Sequence, residues 1–122
     1  ARVSNAQYEW WAHEPIAIRA GLPQHMADDL RQCQRPQRMD DTQALVYDFC
    51  IQLTLNHQVN DALWQKAMQI LGEQQIIDLI VLSGTYTMVS MLLNATQVGI
   101  PNQGQPPLAV LSPETIRQRL LA

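Results

Sequence analysis

Within YEWWAHEPIA (residues 8–17), a carboxylate, two indoles and an imidazole fall between Glu9 and His13. On a helix Glu9 and His13 are i and i+4, so their side chains share a face. A carboxylate against an imidazole raises the ring's proton affinity and fixes its tautomer. That is the basic unit of general acid–base catalysis. Trp10 and Trp11 can supply an apolar wall that excludes water and strengthens such electrostatics. The same spacing suits a purely structural ion pair, and the residues alone leave both readings open.

Other chemistries have less behind them. His25 and His57 have no partner spacing that completes a three- or four-ligand metal set, so no metal site is expected. No Gly-rich phosphate loop and no Gly-x-Ser-x-Gly elbow occurs, and no cofactor is expected. Two cysteines, Cys33 and Cys50, do not make a disulfide framework. Cys50 falls in an apolar helical stripe and reads as a small core residue. Cys33, in the polar stretch RQCQRP, is expected to be the more exposed. A reduced, cytoplasmic protein is the simplest inference. No signal peptide is visible, but the chain starts at Ala1 without a methionine, so what precedes it is left open.

Composition narrows the partners. The 122 residues carry a net charge of −3 and a single lysine, Lys66, which gives no basic stripe for a phosphate backbone. Nucleic acid is therefore not an expected partner. Charged residues make up 16%, against about 25% in ordinary soluble domains. Sixteen glutamines cover part of the shortfall. The rest points to a surface buried against another chain.

The elements that must position Glu9 and His13 are helical. Residues 4–20 read as a first helix with Ser4 or Asn5 as N-cap, Gly21 as stop, and a kink or restart near Glu14 forced by Pro15. A short helix follows over residues 23–32. Asp40 and Asp41 are good N-caps for a helix whose apolar stripe is Leu45, Val46, Phe49, Cys50 and Leu53. Asn60 or Asp61 caps the next, with Leu63, Trp64, Ala67, Met68 and Leu71 as its stripe and Gly72 as its end. Residues 73–98 form a long helix, apolar over most of its circumference and interrupted too often by polar residues for a membrane span. Ser83, Thr87, Ser90 and Asn94 make one polar line along it, expected to be its less buried face; a pocket-lining role is the alternative. After residue 101 an irregular extension leads to Ser112-Pro113-Glu114, which opens a last short helix. Strand signals are nearly absent. The expectation is one all-α domain over residues 1–122, a bundle of about five to six helices.

The stretch YEWWAHEPIAIRAGLPQHMADDL resembles the core motif of the carboxymuconolactone decarboxylase family, in which a Glu-x-x-x-His helix meets a small-residue and glycine stop before a short acidic helix. LGEQQIIDLIVLSGTYTMVSMLLNATQVGIP is similar to the long second-half helix of that family. Together they cover about residues 4–101. The resemblance implies the alkylhydroperoxidase D-like helical fold, His13 as proton relay, Glu9 as its carboxylate partner, and trimers or hexamers with sites near subunit boundaries. The peroxidase branch carries Cys-x-x-Cys where this chain has Ala6 and Glu9, so the redox centre does not carry over.

The function expected on these grounds is a cofactor-free lyase acting on a small carboxylated lactone or related acid. His13 is the acid, Glu9 orients it, and Trp10, Trp11 and Tyr86 contact the substrate. An oligomeric helical protein that binds a small ligand without catalysis is the alternative, and alkylhydroperoxidase-type peroxidase activity ranks last.

Overall fold

The computed structural model describes residues 1–121, and among them the chain is all-α. Six α-helices follow in order: α1 (Gln7–Arg19), α2 (Gln24–Arg31), α3 (Asp41–Asn56), α4 (Asp61–Ile70), α5 (Gly72–Ala95) and α6 (Pro113–Leu121), with a 3-10 turn at Pro101–Gln103. The chain divides into two compact units, Arg38–Tyr86 and the discontinuous pair Ala1–Gln37 with Thr87–Ala122. Helix α5 contributes turns to both.

The contiguous unit follows its apolar periodicity. Asp40 and Gln43 form a reciprocal capping box at the start of α3, and the Asn60 side chain accepts the Leu63 amide at the start of α4. These caps fix where the stripes begin. Leu45 and Phe49 of α3 then meet Ala67 of α4 and Ile76 of α5, flanked by Leu53, Leu63, Leu71 and Leu79. Burying each large side chain is worth about 1.5–3 kcal/mol, so this cluster accounts for the unit's cohesion. Leu71 ends α4, and Gly72, at φ +76°, lets the chain turn into α5 without a Cβ penalty.

The discontinuous unit is held by side chains that pair with backbone. Gln7 donates to the Leu108 carbonyl and accepts from the Leu108 amide, both at 2.9 Å. Asn5 does the same to Leu111, at 2.9 and 3.2 Å, and Arg2 donates to the Ala109 carbonyl at 3.0 Å. Asn5 is thus occupied with Leu111, at a positive φ of 50°, and neither it nor Ser4 caps α1. The N-cap is Ala6, with no side-chain bond. Leu108, Ile116 and Leu120 are buried with Ala6, Met26, Ala27 and Cys33, so the region after residue 101 belongs to this unit's core. Ser112 caps α6 through the Thr115 amide, as its sequence suggests.

Three further expectations are corrected. Helix α1 runs through Pro15 as one element, so no restart occurs at Glu14. Cys33 is fully buried: it sits at φ 60° in the turn closing α2, where Cys33 N–H bonds Leu30 and Gln34 N–H bonds Asp29, and that turn swings the thiol inward. The polar line of α5 faces inward at Ser83, Thr87 and Ser90, while Asn94 at its end stays exposed. Ser90 is 1% exposed, and Ser83 and Thr87 are half-buried, whereas Met88, Met91 and Leu92 are 62–67% exposed. The hydroxyls face inward because buried polar partners recruit them, with Ser83 Oγ lying 3.7 Å from the Cys50 thiol and Ser90 bonding Glu9.

Candidate acid–base site on helix α1

Glu9, Trp10, His13, Glu14 and Ala17 lie at i, i+1, i+4, i+5 and i+8 on α1 and line one wall of a cavity of about 190 Å³. Leu22, Ala27, Leu30 and Ala1 complete the lining. The local fold explains the opposite wall. Helix α1 ends in a Schellman motif, with Gly21 N–H bonding Ile18 and Leu22 N–H bonding Ala17 at 3.0 and 2.9 Å. Gly21 has φ +106°, which only glycine adopts without strain. That closure sets Leu22 back over Ala17 and turns the chain into α2, which supplies Ala27 and Leu30.

Glu9 is 2% exposed. One carboxylate oxygen, Oε2, accepts from the Ser90 hydroxyl and lies 3.5 Å from the Ala1 nitrogen. The other, Oε1, is buried and has no hydrogen-bond partner. The Trp10 indole Nε1 is buried and unpartnered too. His13 is exposed on its outer side while lining the cavity, and its Nδ1 lies 2.9 Å from the Glu9 main-chain carbonyl. A carbonyl only accepts, so this contact makes Nδ1 the donor and leaves the lone pair of the neutral ring on Nε2. Glu14 pairs with Arg31, which also reaches Asp28 at 3.1 Å.

The structure therefore brings Glu9, His13 and Trp10 together on one wall. Trp11 and Tyr86 lie outside the lining, at 41% and 37% exposure, and Trp11 stacks at a tilt on Tyr8 with centroids 5.6 Å apart. Tyr86 belongs to the contiguous unit. Ser90, Glu14, Leu22 and Leu30 are site residues the sequence reading did not assign. The spacing 9, 10, 13, 14, 17 was the available signal for Glu14. The polar line of α5 was the signal for Ser90.

Chemically, the wall holds a carboxylate with one uncommitted oxygen and, one turn on, an imidazole of fixed tautomer. Such a pair can take a proton from, or give one to, a molecule in the cavity. No group of three or more His, Cys, Asp or Glu side chains that could hold a metal ion occurs among the described residues. No protein-family profile, curated protein or solved structure matches the chain.

Proposed function

We propose that this chain is a carboxymuconolactone decarboxylase-like lyase working by a Glu9/His13 proton relay on a small carboxylated lactone or related acid. The carbon–carbon bond to the carboxyl group breaks, carbon dioxide leaves, and the electron pair stays on carbon as an enolate. His13, entering the step as the imidazolium, delivers its Nε2 proton to that carbon, becomes the neutral ring and regains a proton from solvent, with Glu9 holding the helix turn that orients it. The observation that carries this reading is the His13 Nδ1 contact to the Glu9 carbonyl on the cavity wall. With Nδ1 engaged there, Nε2 is the ring nitrogen this reading assigns to the proton transfer. A general acid of this kind is worth about 10²–10⁴-fold in rate. The test is carbon dioxide release from a panel of small carboxylated lactones. Turnover should fall by about that factor in His13→Ala while the helical circular dichroism is kept. Undiminished turnover would overturn the relay.

One observation favours a second reading, a ligand-binding protein without catalysis. Glu9 is fully buried against Ser90, as a carboxylate with a structural duty would be. On either reading the exposed apolar face of α5 is covered by further copies of the chain in a trimer or hexamer. By length and composition α5 is also the one helix among the described residues able to cross a membrane. Its inward polar bonds and the folded segments on both sides of it support the oligomer instead.

A further inference from the structure

The cavity beside His13 has a composition that bears on what enters it. Its walls are Trp10, Leu22 and Leu30 with alanines between them, and its ionisable members are the carboxylates of Glu9 and Glu14, the His13 ring and the Ala1 amino group, the last already 3.5 Å from Glu9 Oε2. None of the described lining residues is a lysine or arginine. The Arg31 guanidinium, which pairs with the lining residue Glu14, is shared with Asp28. An anion inside would meet like charges with no uncommitted cation, whereas an uncharged apolar body would meet matching walls. A volume of about 190 Å³ is large enough to take one benzene-sized ring. Two of the lining residues, Glu9 and Trp10, carry a buried acceptor, Oε1, and a buried donor, Nε1, without hydrogen-bond partners.

We infer that this cavity is a subsite for the uncharged, single-ring-sized part of a ligand, bearing a hydroxyl or similar donor–acceptor group, and that a carboxylate is kept outside it. This rests on the site assignment above and deepens it. The substrate's ring enters between Trp10, Leu22 and Leu30, and its leaving carboxyl group stays at the mouth on the His13 side. In that placement like-charge repulsion from Glu9 and Glu14 acts on the carboxylate that is lost and vanishes once carbon dioxide has gone.

Benzyl alcohol and benzoate are a matched pair of nearly equal size that differ in charge. Their binding to the intact protein at pH 7 can be read by ligand-observed NMR and by tryptophan fluorescence. Benzyl alcohol should bind at least tenfold more tightly than benzoate. Ala17→Phe, which fills the cavity from α1, should weaken benzyl alcohol at least tenfold. Leu30→Trp fills it from α2 and serves the same purpose if the first variant does not fold. Benzoate binding as tightly as benzyl alcohol would overturn the inference, as would benzyl alcohol binding unchanged in a folded cavity-filled variant. Absence of turnover in the unmodified protein with benzyl alcohol still bound would leave the subsite standing and remove the lyase.

Discussion

Glu9 connects chemistry and stability most directly. Its carboxylate is desolvated, and the Ser90 hydroxyl is the side-chain donor it receives. Hydrogen bonds to charged groups contribute about 1.5–3 kcal/mol, and a buried charge left short of donors is costly. Ser90→Ala should therefore lower unfolding free energy by about 2–3 kcal/mol. Glu9→Gln, which removes the charge and keeps the shape, should cost less. The double variant should cost less than the sum of the two, a coupling measurable in denaturant titrations. Equal and additive losses would separate the two residues. The thiols are inert for a related reason. Burial pushes both Cys33 and Cys50 above the ordinary 9.0, the hydroxyl of Ser83 partly opposing this at Cys50. A raised thiol favours the protonated, folded form. Its contribution is complete below pH 9.0 and is lost as pH rises through the folded-state value. The denaturation midpoint should accordingly fall above that pH, and less so in Cys50→Ala. Neither thiol should react with a disulfide reagent at pH 7 until denaturant is added. Fast native-state labelling would contradict this.

Among the elements, the C-terminus of α1 shapes the cavity. Gly21 has open space where a Cβ would lie, so its requirement is conformational alone. Gly21→Ala should cost about 1–2 kcal/mol from the left-handed backbone, a drop of roughly 4–8 °C in a melting curve. Helix type and order were legible in the sequence because capping and apolar periodicity agree: Asp40 and Gln43, Asn60, Gly72 and Ser112 all act where they stand. That Glu9, Trp10 and His13 share one cavity wall was legible from helical spacing, whereas the turn of the Glu9 carboxylate to Ser90 and of the His13 ring to the Glu9 main-chain carbonyl was not. What was not legible depends on long-range pairing. Asn5 resembles a cap, yet Leu111, 106 positions on, claims its side chain. Cys33 lies among polar neighbours, yet a left-handed turn directs it inward. Ser90 belongs to a polar line that periodicity assigns to solvent, and only a carboxylate 81 positions away shows otherwise.

At the scale of the molecule, α5 turns Ser83, Thr87 and Ser90 inward and Met88 and Met91 out. Contiguous apolar patches of this kind are rare on soluble monomers, and closed symmetric packing is the usual way to bury them. Light scattering at micromolar concentration should find an oligomer, and Met88→Glu with Met91→Glu should shift it toward 13.8 kDa. A stable monomer of the unmodified chain would rule the assembly out. The discontinuity of the unit that holds Glu9 also sets an order of events. Residues 38–86 are consecutive and can close on themselves as soon as they exist. The first 37 residues must wait for partners about a hundred positions downstream, and short-range contacts form before long-range ones. During synthesis, α1 therefore leaves the ribosome long before Ser90, Leu108 and Leu111 arrive to bind it. In pulsed hydrogen exchange on refolding, amides of α3 should gain protection ahead of those in α1. The bond from Ser90 to Glu9 should then be among the last contacts of the acid–base wall to form.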